Sequence, residues 1–168
     1  TNGWAPELLP ELAPWLRPTR NQVLMTSPIA RPGPAWSGVG GVSVDEGAHE
    51  LYAIARADGR VCVGGARALE PDAAIGSTDD ASLSEEVGAH LRAFLRDAFP
   101  RSFGSESEPG SWRVEAEWTG VLGFTSDGRP IVGELPGRPG VLVAAGFCGH
   151  GMPQCYGVAR SIAHMIAG

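Results

Sequence analysis

The sequence predicts an α+β fold, a mixed and mostly antiparallel sheet with a helix against one face. Three observations predict it. Two strand-like runs, Tyr52–Ala57 and Arg60–Gly64, flank an Asp58-Gly59 pair that suits a tight hairpin turn. The segment from Ser82 to Phe99 places Leu83, Val87, Leu91, Phe94, Leu95 and Ala98 on one helical face. The last third runs from an apolar strand through glycines into a final helix.

A chain of 168 residues buries one good core or two small ones. The 24 Gly and 14 Pro call for many turns and short elements rather than long helices. In the opening residues, Pro6, Pro10, Pro14 and Pro18 recur every four positions, which forbids a long helix and leaves short turns around Leu8-Leu9 and Trp15-Leu16. Asn21 to Ser27 reads as a strand stopped by Pro28. Arg31 to Pro34 reads as a turn, and Gly38 to Val44 as a weak strand. The Asp58-Gly59 hairpin follows, then a loop from Glu70 to Asp80.

Ser82 and Glu85 have the spacing of a capping box, so the helix is expected to begin at Ser82 and to end at Pro100. Residues 101–110 read as a solvated loop, and Trp112 to Thr119 as an alternating strand. Pro130 to Val132 is a short strand after the Asp127-Gly128 turn, and Gly140 to Ala145 a buried one. Met152 or Pro153 opens the last helix, with Val158, Ile162, Met165 and Ile166 expected on its buried side.

Composition narrows the function classes. Hydrophobic residues make up 43% of the chain, which excludes a wholly disordered polypeptide. The net charge is -6 and the 13 cations, all Arg, form no cluster, so nucleic acid is not an expected partner. No apolar run reaches the length of a membrane span. Cys62, Cys148 and Cys155 show no metal spacing, and their odd number argues against a disulfide framework. The compartment stays open, an intracellular one being favoured.

The candidate ligand cradle is the turn from Gly146 to Gly151, between the strand Val141–Ala145 and the last helix. Glycines let backbone approach a ligand closely, and a helix N-terminus offers unpaired N–H groups and partial positive charge. The same pattern also serves as a plain tight connection. His150 reads as a turn residue or as a group beside a ligand, and no general-base role is assigned to it. His49, His90 and His164 read as surface or packing residues.

Trp118-Thr119-Gly120, then Thr125-Ser126-Asp127-Gly128-Arg129-Pro130-Ile131-Val132-Gly133, then Gly146-Phe147-Cys148-Gly149-His150-Gly151-Met152 form an ordered set. It resembles the C-terminal region of FAD-dependent oxidoreductases of the D-amino-acid oxidase, glycine oxidase and sarcosine oxidase-like family. Trp118, Gly120, Thr125, Asp127, Gly128, Pro130 and Gly133 match the family pattern position by position. Gly3 and Trp4 resemble the end of a nucleotide-domain strand, and Arg20-Asn21-Gln22 the Arg-Gly-Gln that opens the substrate-domain sheet.

The resemblance implies a flavin-facing role for Gly3, Trp4, Leu122, Gly123, Gly149, His150, Gly151 and Met152, and a substrate-facing role for Tyr52, Leu122 and Cys148. Tyr52 reads equally well as a cross-strand packing aromatic. The resemblance assigns residues 1–20 to the exit from a nucleotide-binding domain and residues 21–118 to a substrate-domain sheet and helix. Residues 119–168 would return to the FAD-binding domain.

Two departures stand out. Amino-acid-oxidising members carry Arg-Pro where this chain has Leu122-Gly123, and leucine cannot grip a carboxylate with two hydrogen bonds. Arg20 or Arg56 would have to replace that anchor. Sarcosine-oxidase-like members carry a Lys near the position of Pro153. No Cys lies where a covalent flavin link belongs, so FAD is expected to bind non-covalently.

The Gly-x-Gly-x-x-Gly unit that holds the ADP half of FAD is absent from the sequence. Gly38-Val39-Gly40-Gly41 and Gly64-Gly65 lie in strand-like segments without a following helix. FAD is therefore expected to be shared with an N-terminal FAD-binding half or a companion polypeptide, this chain being a fragment, a cleaved product or a subunit. The resulting expectation is the C-terminal half of an enzyme that oxidises a C–N bond of a small amine or amino-acid-like substrate. The competing expectation is a non-catalytic binding or assembly subunit that keeps the fold without flavin chemistry.

Overall fold

The computed structural model describes residues 2–29, 41–46, 49–104 and 112–168. The turn expected at Arg31–Pro34, the start of the strand expected from Gly38, and most of the loop expected over 101–110 lie outside the described residues. The fold is α+β with antiparallel strand pairing, as the sequence predicts. By internal contacts the chain divides into two compact units. One comprises residues 1–20, 75–78 and 121–168, the other residues 21–74 and 79–120.

A five-stranded sheet has the order β2-β3-β4-β1-β5. Its strands are β1 (Leu16–Thr26), β2 (Gly41–Glu46), β3 (His49–Ala55), β4 (Val61–Gly65) and β5 (Val114–Thr125). The Asp58-Gly59 hairpin forms as expected, with Gly59 at φ +82° and the Arg60 amide donating to Asp58 Oδ1 at 3.2 Å. Period-two alternation sends Leu24, Leu51, Ala53, Ala55, Val61 and Val63 to one face, all buried. There they form one core with Val87, Leu91, Phe94 and Leu95 of helix α2 (Glu85–Ala98). α1 is the single turn Ala5–Leu8, with Pro6 in its first turn.

Several boundaries differ from expectation. β1 begins at Leu16 rather than Asn21, running through Pro18, whose carbonyl accepts from the Gly76 amide at 2.7 Å. α2 begins after Ser84, not at Ser82, and Ser84 is the residue whose hydroxyl accepts from the Val87 amide. The reason is Gln22 of β1. Its Oε1 accepts from the Ser84 amide at 2.8 Å and its Nε2 donates to the Ser84 carbonyl at 3.0 Å, which fixes Ser84 in extended geometry. The Ser82–Glu85 capping box therefore does not form, and Leu83 and Ala98 are exposed rather than on the buried face.

Pro100 starts another helical turn, α3 (Pro100–Phe103), where a loop was expected, because Phe103 is wholly buried there. Its ring meets Trp112 edge-on at 5.3 Å, and the Trp112 indole N–H donates to its carbonyl. Trp112 thus precedes β5, which extends on to Thr125.

The other unit has a smaller core of Ala5, Leu12, Leu16, Leu135, Val143 and Ala145. Strands β6 (Ile131–Glu134) and β7 (Leu142–Ala145) form a two-stranded antiparallel sheet. The last helix, α4 (Gly151–Ala167), buries none of its residues. Val158 and Ile162 are half-buried, but Met165 and Ile166 are exposed, which corrects the expectation that all four lie inside.

Candidate functional site

The turn after β7 is built from residues whose backbone only glycine adopts freely, together with one strained cysteine. Gly146 and Gly149 have φ of +77° and +79°, and Cys148 is held at +50°. Three hydrogen bonds fix this shape. The Gly146 amide donates to Asn2 Oδ1 at 2.8 Å, the Cys148 amide to the Gly123 carbonyl at 2.9 Å, and the His150 amide to the Phe147 carbonyl at 2.8 Å. Close packing enforces the glycines. A Cβ on Gly3 would collide with the Leu122 carbonyl, and one on Gly123 would come within 2.7 Å of Asn2 Oδ1. Of the residues expected at a flavin, the structure thus brings together Gly3, Leu122, Gly123 and the Gly146–Gly151 turn.

Asn2 was not foreseen. Its left-handed φ of +31°, ahead of a glycine, is the kind of conformation Asn tolerates, yet nothing in the local sequence says which amide it will accept from. Trp4 is partly exposed, at 38%. Cys148 turns its thiol inward, 3.4 Å from both the amide and the hydroxyl of Thr125, so its sulfur serves the turn. His150 caps the helix in position only. Its Nδ1 lies 2.8 Å from the Cys148 carbonyl, and it gives α4 no side-chain cap.

The turn therefore ends in the first N–H groups of a 17-residue helix that carries no side-chain cap and no acidic residue in its first turn. Among the described residues, nothing lies within 4 Å of the place where a side chain on Gly149 would stand. Met152 is 88% exposed beside it. Asp127-Gly128 closes the preceding β-turn. There the Arg129 amide, helped by the Thr125 hydroxyl, holds the Asp127 carboxyl below its ordinary range. A cleft of about 520 Å³ lies along β6, lined by residues such as Leu12, Trp15, Ile131 and Leu135. None of the residues expected at the flavin lines it.

In the sheet-and-helix unit, Tyr52 stands on the face of the sheet away from α2. Its register partner is Gly64 of β4, and its ring lies over that glycine, with the hydroxyl 2.5 Å from where a Cβ would be. The phenol reaches the next strand, where Asn21 Nδ2 donates to it at 3.2 Å. Burial pushes the Tyr52 phenol above its ordinary pKa, and the Asn21 hydrogen bond partly offsets this. Ile54 and Cys62 share this face by alternation. Trp118, 42% exposed, joins them, because its neighbour Glu117 points the other way to an ion pair with Arg92 at 2.6 Å. Of the two arginines expected to replace the carboxylate anchor implied by the resemblance, Arg56 is engaged with Asp58 at 3.0 Å and Arg20 is half-buried on β1.

Residues 1–165 match the family model described as DAO, FAD dependent oxidoreductase. The chain belongs to this family. Solved structures agree in fold. The L-proline dehydrogenase from P. horikoshii matches 99% of this chain with 41% of its own length, at 20% identity and a TM-score of 0.71. The glycine oxidase from Geobacillus kaustophilus matches 98% of this chain with 40% of its own, at 19% identity and a TM-score of 0.68. The iminodiacetate oxidase from Chelativorans sp. BNC1 matches 95% with 40%, at 21% identity and a TM-score of 0.61. This DAO-family chain therefore spans about two-fifths of the length of these solved relatives.

Proposed function

We propose that this chain is part of an FAD-dependent oxidoreductase acting on a C–N bond of an amine or amino-acid-like substrate. The observation that carries the reading is the locked Gly146–Gly151 turn leading into the uncapped helix α4. Its residues fit one end of FAD. The open glycine at 149 leaves room for a flat ring, and no carboxylate in the first turn repels an electron-rich carbonyl edge. Gly149, Gly151 and Met152 would hold that edge through their backbone, and the helix end would favour negative charge there. When bound, FAD supplies the acceptor for the two electrons leaving the substrate. Gly3 and Gly123 keep the turn in place, Leu122 offers an apolar surface, and Tyr52 offers a hydroxyl to the substrate.

FAD in this reading is non-covalent and shared. The sequence carries no unit for the ADP half, and the chain spans two-fifths of its solved relatives. Residues 1–20 then leave a nucleotide-binding domain, residues 21–118 make the substrate domain, and residues 119–168 return. An N-terminal segment or companion polypeptide would cover α4, where Met152, Tyr156 and Ile166 form an exposed apolar stripe at helical spacing. Leu122, in place of the family's carboxylate-gripping arginine, favours the second reading, a subunit that keeps the fold without turnover.

The test is to combine the chain with its N-terminal nucleotide-binding part and record flavin absorbance, before and after adding a panel of primary, secondary and carboxylate-bearing amines. Bound flavin that bleaches with an amine is the expected outcome. Bound flavin that no amine reduces would leave the non-catalytic subunit as the reading. Colourless protein would overturn the flavin assignment.

A further inference from the structure

The cleft along β6 has no part in the flavin reading, and every residue that lines it belongs to one compact unit. Its volume of about 520 Å³ is that of a small-molecule site. Leu12, Ile131, Leu135 and Val143 give it apolar walls. Trp15 borders it and is 65% exposed, although Leu12 and Leu16 close by in sequence are buried. A large ring left in water beside an apolar cleft is surface that a ligand would cover with gain.

A free strand edge invites another strand, but this edge is built against one. The Leu135 amide donates to the Val141 carbonyl at 2.8 Å, and the register pairs Gly133 with Val143 and Ile131 with Ala145. Alternation therefore turns positions 130, 132, 134 and 136 outward. Pro130 and Pro136 have no N–H to give, and Glu134 adds a charge between them. An added strand would find N–H donors at Val132 and Glu134 alone. The occupant that fits is a small molecule.

Charge selects its kind. Glu11, Asp127 and Glu134 border the cleft, with Arg129 as the one cation among the lining residues. Arg138 answers Glu11 at 2.6 Å, which leaves two carboxylates against Arg129. Asp127 keeps its charge well into acid, because the Arg129 amide holds its carboxyl below the ordinary range. Glu134 is fixed at the rim through Oε1, which accepts from the Gly140 amide at 2.6 Å. Its Oε2 makes no hydrogen bond among the described residues.

We propose that this cleft is a binding site for a small organic ammonium carrying a hydrocarbon group. Trp15 meets the cation through the electron-rich face of its indole, Asp127 and Glu134 balance the charge, and the apolar walls take the hydrocarbon. The site shares no residue with the proposed flavin contacts, so it stands or falls apart from them.

Calorimetry with hexyltrimethylammonium tests it, on the full chain alone and in the flavin-loaded assembly. A quaternary nitrogen offers no N–H, so the probe reads the ring and the carboxylates alone. Saturable binding is expected, with hexanoate, of like chain and opposite charge, much weaker. Trp15→Leu keeps apolar surface and removes the ring, and should weaken the probe about tenfold. Asp127→Asn with Glu134→Gln keeps acceptors for the Arg129 and Gly140 amides, and should abolish the salt dependence of binding. Glu86→Gln, an exposed carboxylate on α2, should change nothing. Equal affinity for hexanoate, or unchanged binding in either cleft variant, overturns the proposal. So does binding lost on assembly, which would make the cleft a face that the nucleotide-binding part covers. Should Trp15→Leu not fold, the Trp15 indole N–H resonance of the unaltered chain decides, since it should shift with the probe and an unmoved signal overturns the site. Failure to load flavin sinks the oxidoreductase reading and leaves the titration of the chain alone standing.

Discussion

The two units solve the burial problem differently. The sheet-and-helix unit closes a core of its own, in which Leu24, Leu51, Leu91, Leu95 and Phe103 are fully shielded. The other unit has a thinner core around Leu12, Leu16 and Val143, a two-stranded sheet, and a terminal helix with no fully buried residue. Two strands rarely sustain themselves without further cover. The contrast teaches that self-sufficient packing belongs to the element proposed to meet substrate. The element proposed to meet flavin leaves apolar surface uncovered, as a surface awaiting a partner does.

Substitutions can break or sharpen that contrast. The largest effect should come from Leu91→Ala, which opens a void between α2 and the sheet and should cost about 2–5 kcal/mol in denaturant unfolding. A loss below about 1 kcal/mol would show the sheet-and-helix core to be looser than its burial suggests. Next is Gly146→Ala. It places a Cβ 2.6 Å from Thr125 Cγ2 at a backbone φ of +77°, and should cost about 1–3 kcal/mol. Amide exchange should show that loss as faster exchange at Cys148 and His150, whose hydrogen bonds shape the turn. The smallest effect should be Ile166→Glu, at a side chain 72% exposed, which should change the chain's own stability by no more than about 0.5 kcal/mol. It should nonetheless weaken association with the proposed nucleotide-binding part, measured by sedimentation. A large loss in the chain alone would mean that α4 is already packed.

Alkaline pH separates the units as well. The Tyr52 phenol has a raised pKa in the folded chain, so its contribution to stability is complete below the ordinary tyrosine value. It is lost as pH rises from that value toward the folded one. Tyr52→Phe should remove this part of the alkaline decline.

Much of this was legible in the residues. The Asp58-Gly59 hairpin and the apolar face of α2 follow from local periodicity, because each is decided by neighbours a few positions away. The start of α2 was not legible. Ser82 offered a good local cap, but Gln22, 62 residues away, gripped Ser84 instead. The outward face of α4 was misread for the opposite reason. Its apolar spacing is genuine, yet spacing says that a side chain wants cover, not that this chain provides it. At the candidate site the glycine pattern marked the turn, while Asn2 and the Asn21–Tyr52 pair rest on long-range contacts that no local signal encodes.

The Asn2–Gly146 hydrogen bond joins positions 144 residues apart. During synthesis the Asn2 side chain must wait for the residues between them before its acceptor finds an amide. The ring so closed is the entropically costly kind, slow to form and late to gain its reward. Under the proposed function, cofactor capture by this turn should accordingly come late in maturation. A nascent polypeptide shortened before Gly146 should remain unable to take up flavin however well its sheet has already set.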